Sequence, residues 1–464
     1  MTTPYLTAAE ATGLFERREL SPVELLDDVL ARADAAEPTI NAFTEQLRDE
    51  AYAAARESEQ RFLEGTQRPL EGIPLALKDE QPIAGRLQQD GSLLCRGAVA
   101  EITHPVVERI HGAGAVVHAR TTTPEFCAAA VTHTALWGVT RNPHNPDFSP
   151  GGSSGGSGAA LAAGTTVLAT GSDIAGSIRI PSAYCGTVGF KPPYARVPGI
   201  APFNADTYCA DGPMGRSVAD VAALQNVIVG QWRGDQASLR DNPVLAPVAG
   251  SLTGTRIALS LTLGAFDPDP IVVANTLAFA DALRSAGATV EEVELPWTSD
   301  QMSELLWAHF NAIMGASVES LIDGDPERAA QLMPYTRAFV ERAAAPAVGY
   351  AEGLLGENAF FLPLGEILDA YDALLCPTLA NTGFAADDPC TDTPAMLDAM
   401  MTMPFNIVGR VPVLSVPSGR ASNGLPTGVQ IVGRPYDDAT VFRIGAAAEA
   451  ELALWTSPDW WPSR

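Results

Sequence analysis

Ser149-Pro150-Gly151-Gly152-Ser153-Ser154-Gly155-Gly156-Ser157-Gly158 is the densest signal in the chain. This glycine-serine loop runs without a break into a small-residue helix predicted over 159–163 and a strand over 165–170. Upstream, Gly72-Ile73-Pro74-Leu75-Ala76-Leu77 reads as a buried strand that delivers Lys78 to its end, and a helix over 106–112 leads into a strand over 115–119. Downstream the alternation continues: helix 218–229, strand 256–261, helix 270–286 and strand 289–293. Residues 297–368 read as mostly helical, 373–376, 411–416 and 428–432 as strands, and 438–451 as a closing helix. The first 70 residues read as helices. Thr7-Ala8-Ala9-Glu10 and Ser21-Pro22-Val23-Glu24 are capping boxes, the second with Pro at the first helical position. Strands alternating with helices throughout imply an α/β fold with a mainly parallel, helix-covered sheet.

The chain has 464 residues, above the roughly 250–300 at which single cores stop growing, so it holds two ordinary domains or one large α/β domain. No composition break marks a boundary. With 29 Lys+Arg against 55 Asp+Glu, the net charge of −26 argues against a nucleic-acid or anionic-membrane partner. The N-terminal residues lack the basic and apolar regions of a signal peptide. The longest small and apolar stretch, 158–171, falls short of the roughly 20 residues of a membrane span. Six scattered cysteines without a C-x-x-C pair read as reduced thiols. The expectation is a cytoplasmic protein without nucleic-acid or membrane partners. Among the 29 basic residues only Lys78 and Lys191 are lysines. Arg substitutes for Lys wherever charge suffices, but not where the group must lose its proton, so both lysines are candidates for a role that needs an amine.

The glycine-serine block admits four readings. A phosphate loop needs G-K-[ST], and no Lys follows. A flexible linker fits poorly with a block that enters a helix and strand in mid-chain. A nucleophile elbow is satisfied locally at both Ser153 and Ser154, but that fold orders its triad Ser, acid, His, and the one histidine after residue 144 is His309, inside a predicted helix. In the fourth reading the chain resembles the amidase signature family. The strand Gly72–Asp79 resembles that family's first motif, Gly151–Ser157 its second, and Gly171–Ser182, running on into Cys185–Pro192, its third. Secondary matches are Gly212–Val218, Leu375–Thr378 and Gly424–Gln430. The resemblance covers essentially the whole chain in order, with Ser177 lying 24 positions after Ser153. The Ala-Gly-Ser-Ile-Arg-Ile-Pro form is most similar to the branch with aminohexanoate (nylon-oligomer) hydrolases and bacterial urethanases.

The resemblance implies one α/β/α domain over 1–464, built on a twisted, mixed, mainly parallel central sheet. It would comprise N-terminal helices over 1–70, a signature core over 71–220 and a variable, substrate-facing helical region over 295–400. It also implies Ser177 as nucleophile, Ser153 as a bridging serine on a cis peptide and Lys78 as general base, with no cofactor and no metal. The chemistry agrees: a serine hydroxyl needs a proton acceptor, and a lysine held neutral by burial can serve. Backbone amides of Ile174, Ala175, Gly176 and Ser177, opening the next helical segment, would form an oxyanion hole. Ala175 stands where the family more often has glycine, and Asp79-Glu80-Gln81-Pro82 replaces the more usual Asp-Asn-Ile.

Several residues have plainer readings. Lys191 reads as structural, Asp173 and Arg179 as a paired charge bracing the nucleophile loop, and Ser154 and Ser157 as loop hydrogen-bonders. His104, His111 and His118 recur every seven residues with no H-E-x-x-H pattern, which makes a metal site unexpected. For the substrate, Gly151 and Gly152, the helical face Trp307, Phe310 and Met314, and Met401 in a cluster with Met396, Met400 and Met403 are pocket candidates, with core packing as the alternative. Three functions stay open: a free-standing serine hydrolase of small, partly apolar amides with carbamate (urethane) or ester cleavage in reach; the amidase-like subunit of a tRNA-dependent amidotransferase; and a silent binding protein on the same scaffold. The first would act on a small molecule as a monomer or homodimer.

Overall fold

The computed structural model describes residues 3–457 and 459–462. Its strands in chain order are β1 (Phe43–Gln46), β2 (Pro74–Lys78), β3 (Val116–Thr121), β4 (His133–Thr134), β5 (Gly138–Val139), β6 (Leu168–Asp173), β7 (Val188–Lys191), β8 (Ala210–Gly215), β9 (Arg256–Leu259), β10 (Thr289–Glu292), β11 (Ala373–Pro377), β12 (Val413–Arg420) and β13 (Pro426–Gly433). Strands β4 and β5 form a small ribbon, and the other eleven make one continuous sheet in the order β1-β3-β2-β6-β8-β7-β12-β13-β11-β9-β10. The chain is a single α/β domain with helices on both faces of that sheet.

The sheet is mixed, with parallel pairing confined to its two flanks. On one flank β2 pairs in parallel with β3 and β6; on the other, β9 pairs in parallel with β11 and β10. Between them β6, β8, β7, β12, β13 and β11 run antiparallel to their neighbours, so the expected parallel majority is not found. Antiparallel neighbours can be joined by short turns, as β12 and β13 are, whereas parallel ones need a crossover such as the helix Pro105–Gly112. Strand β1 also interrupts the stretch read as helical.

Local chemistry explains most element boundaries. Thr7 and Ser21 accept from the backbone N–H of Glu10 and Glu24, and each glutamate returns the bond to its capping residue. The helix Gly155–Ala162 is made of small residues apart from Leu161 and is buried along its whole length. A Cβ on Gly156 would stand 2.4 Å from the Thr122 amide, so this helix lies closer to the sheet than a larger side chain permits. The largest core cluster joins the segment Ala128–Val131 to the helical region between Trp297 and Leu368 and to the methionines Met400, Met401 and Met403. The run Ser299–Ile322 is long and apolar enough to cross a membrane, but Met302, Leu306, Trp307, Phe310 and Met314 along it are buried in that cluster. All six cysteines are free thiols.

Candidate active site

The site forms where parallel strands end together. Lys78 is the last residue of β2 and is fully buried; β6 runs parallel beside it, with Leu75 opposite Leu168 and Ala76 opposite Ala169. The carboxyl ends of neighbouring parallel strands therefore open on one edge, the usual place for a ligand in α/β folds. The Lys78 N–H donates to Thr170 Oγ1 (3.0 Å), whose hydroxyl donates to Gln81 Oε1 (2.6 Å), which fastens the end of β2 to β6. From the other side comes the glycine-serine loop, with a cis peptide between Gly152 and Ser153. A Cβ on Gly152 would lie 2.5 Å from the Val131 carbonyl oxygen, so only glycine fits there.

Lys78 Nζ lies 2.7 Å from Ser153 Oγ, 2.7 Å from Ser172 Oγ and 3.1 Å from Glu80 Oε2. The Ser172 hydroxyl donates to the same Glu80 oxygen (2.5 Å), as does the Cys127 thiol (3.3 Å). The neutral lysine expected from burial is not what this surrounding favours. Burial pulls the Lys78 ammonium down, but the charges of Cys127, Glu80 and Asp211 and the hydrogen bond it donates to Glu80 outweigh it, leaving the amine above its ordinary value. Cys127 attracts only as a thiolate, and burial pushes its thiol up to about 12, so at neutral pH the attraction comes from Glu80 and from the ionised fraction of Asp211. Glu80 itself is raised by burial but lowered further by Lys78, Ser172 and Cys127. Asp211 is pushed to about 7 by burial and by the Glu80 charge; it accepts from Gln81 Nε2 (2.8 Å) and lies 3.5 Å from His104 Nε2. Asp79 turns away, accepting from Thr44 Oγ1 (2.9 Å) and pairing with Arg120 (3.3 Å).

After β6 the chain makes the tight turn 174–178 into the helix Arg179–Cys185. Ser177 is buried, and its Oγ makes no hydrogen bond among the described residues. Of the four amides expected to face a substrate oxygen, that of Gly176 is already committed: it donates to Asp173 Oδ1 (2.8 Å). Asp173 Oδ2 takes the N–H groups of Ile178 (3.2 Å) and Arg179 (3.4 Å). The amides of Ile174, Ala175 and Ser177 have no acceptor among the described residues. Gly176 has φ +126°, and a Cβ there would overlap Thr402 Oγ1 at 2.1 Å, so its role is to permit the turn. Asp173 and Arg179 form a buried pair at 2.9 Å. Burial would raise Asp173, but Arg179 and Asn406 bring it down to about 2.

Two cavities meet at this turn. One of about 40 Å³ is lined by Gly152, Ser177, Ile174, Trp307, Phe310 and Met314, together with Met396 and Met400. The other, about 320 Å³, is lined on the Lys78 side by Glu80, Ser172, Asp211 and His104. Cys127, Ile174 and Met314 belong to both walls. Met314 lies in a π-helical turn, Asn311–Gly315, that interrupts the long helical run. Two expected pocket residues line neither cavity. Gly151 is a turn residue at φ +88° packed on Ile180 and Pro181, and Met401 is fully buried in the core. Lys191 is separate from the cluster around Lys78, donating to the carbonyls of Pro192 (3.2 Å) and Gly409 (3.3 Å); burial lowers it to about 7.

A model of the family described as Amidase matches residues 24–442. The chain belongs to the amidase signature family. It is 32% identical to a glutamyl-tRNA(Gln) amidotransferase subunit from Chloroflexus aurantiacus, covering 97% of each chain. The crystal structure of a bacterial aryl acylamidase of the amidase signature enzymes superposes with a TM-score of 0.89 at 28% identity, over 97% of both chains. That of 6-aminohexanoate cyclic dimer hydrolase gives 0.86 at 28% identity, over 98% of this chain and 99% of the other. Within this amidase fold, sequence reading missed four groups around the lysine: Ser172, Cys127, Asp211 and, above all, Glu80. Only Glu80 carried a signal, as a departure from the motif.

Proposed function

We propose that this amidase-family enzyme is a free-standing serine hydrolase that cleaves small, partly apolar amides. The observation that carries the reading is Lys78 Nζ set 2.7 Å from Ser153 Oγ, with a Ser177 hydroxyl and three backbone amides that have no partner among the described residues. In its neutral form Lys78 accepts the Ser153 proton while Ser153 accepts that of Ser177, and Ser177 Oγ attacks the substrate carbonyl carbon. The oxyanion accepts from the amides of Ile174, Ala175 and Ser177, donors worth roughly 3–4 kcal/mol each in other serine hydrolases. Collapse breaks the C–N bond as the proton returns through Ser153 to the leaving amine. Water then repeats the sequence on the acyl-enzyme. Because that proton arrives from the Lys78 side, the amine portion belongs in the 320 Å³ cavity and the acyl portion in the apolar 40 Å³ one.

Carbamates and esters present the same carbonyl and fall within the same chemistry. The enzyme would work in the cytoplasm as a monomer or homodimer. The similarity to the Chloroflexus protein favours a second reading, a component of an amidotransferase that needs partners; hydrolysis of anilides by the isolated chain separates the two. A fluorophosphonate probe tests the nucleophile. It should label Ser177 alone, and Ser177→Ala should abolish both labelling and amide hydrolysis. Modification at Ser154, or none on the folded protein, overturns the assignment.

A further inference from the structure

Three acceptors surround the Lys78 amine, and they differ in kind. Ser153 Oγ and Ser172 Oγ can each either accept from the lysine or donate to it, whereas an ionised Glu80 can only accept. Glu80 Oε2 gathers three donors at once: Lys78 Nζ, the Ser172 hydroxyl and the Cys127 thiol. Glu80 Oε1 is buried with no hydrogen-bond partner among the described residues, and the residue forms part of the 320 Å³ cavity wall. The other titratable groups facing this spot are Cys127 from the segment after β3, Asp211 of β8 with Cys209 just before it, His104 at the start of Pro105–Gly112, and Asp90. Cys127 and Cys209 are thiols at neutral pH, and burial drops His104 to about 4, so none of these three carries charge there. Asp211 and Asp90 are held by Gln81 and Gln88 and do not touch the lysine.

We propose that Glu80 is a positioning residue that clamps Lys78 in its charged form in the resting site, so that this carboxylate governs when the amine becomes free to act as a base. The proposal rests on the reading of Lys78 as the base, but the clamp itself can be measured without turnover. An opposite charge in direct contact favours the ammonium by about 1–3 pH units, and removing it leaves burial, which acts in the reverse sense, opposed only by the more distant Asp211. An uncharged residue at position 80 therefore releases the proton at lower pH.

The chain has only two lysines, so lysine labelled with ¹³C at Cε gives two signals, assigned by Lys191→Met. In the wild type the Lys78 signal should keep its ammonium position beyond the ordinary lysine range, because Glu80 holds the proton. In Glu80→Gln its midpoint should fall by about 1–3 units, while the Lys191 signal, held by two backbone carbonyls, stays put. Glu80→Ala repeats the measurement if the glutamine variant folds poorly. A Lys78 signal in these variants that titrates no earlier than in the wild type overturns the proposal. The acid limb of kcat/KM for an anilide should move to lower pH by the same amount. A signal that shifts while the limb stays fixed keeps the clamp and removes Lys78 as base, so the two readings fail separately.

Discussion

Arg179→Met tests whether the turn that carries Ser177 depends on a buried ion pair. The Arg179 guanidinium donates to both oxygens of Asp173 (2.9 Å each), to Gln430 Oε1 (2.5 Å), to Asn406 Oδ1 (2.7 Å) and to the Thr402 carbonyl (2.9 Å), all out of water. Methionine removes the charge and leaves Asp173 as an uncompensated buried anion, a loss of about 3–5 kcal/mol in comparable pairs. The carboxyl gives an independent scale. Held at about 2 against an ordinary 3.8, it contributes about 2.5 kcal/mol of pH-dependent stability. Its native value lies below the unfolded one, so that contribution is complete above about pH 4 and is lost as pH falls through about 2. Urea unfolding at neutral pH, followed by tryptophan fluorescence, should show the 3–5 kcal/mol loss for Arg179→Met. The double variant Asp173→Asn with Arg179→Met should recover part of it, since no lone charge remains and the new amide oxygen still accepts from Gly176. A single-variant loss below about 1 kcal/mol, or a double variant no more stable than Arg179→Met, refutes the reasoning.

Two further outcomes test the site. Lys78→Arg should lower kcat/KM by about 10²–10⁴, the usual worth of a general base, because a guanidinium does not give up its proton; activity within about tenfold of wild type excludes a lysine base. Met314→Ala should join the 40 and 320 Å³ cavities, lower stability by about 2–5 kcal/mol and raise kcat/KM for long acyl chains relative to short ones. An acyl-length profile parallel to the wild type would show that Met314 does not limit the acyl side.

What was legible in the sequence was whatever a few adjacent residues decide. The capping boxes at Thr7 and Ser21 and the helix after Asp437 need only local hydrogen bonds, and they form within a residue or two of the expected bounds. Strands β7 and β8 escape a sequence reading because Gly189, Gly212, Pro213 and Gly215 carry the composition of loops. Their glycines are there for contact: a Cβ on Gly212 would lie 2.4 Å from the Phe190 carbonyl, so the sheet requires glycine where propensity disfavours it. Those two strands are also what breaks the parallel run. Met401 was placed by cluster membership, but the helix Thr393–Ala399 ends just before it. Met400 leaves that helix with a non-helical backbone, so Met400 lines the small cavity while Met401 points into the core.

The lysine marks where local reading stops. That Lys78 sits in an apolar strand was visible in Pro74-Leu75-Ala76-Leu77, and burial by itself lowers an ammonium. The sign of the net shift, however, belongs to contacts. Position 80 lies past the end of β2, beyond the alternation that tells which way a strand side chain points. Its carboxylate meets the lysine in a pocket completed by Ser172, on the neighbouring strand, and Cys127, in the segment after β3, which both donate to it. A carboxylate that departs from its motif, with Asp211 behind it, reverses the charge expected of the buried lysine, and no spacing along the chain encodes that meeting.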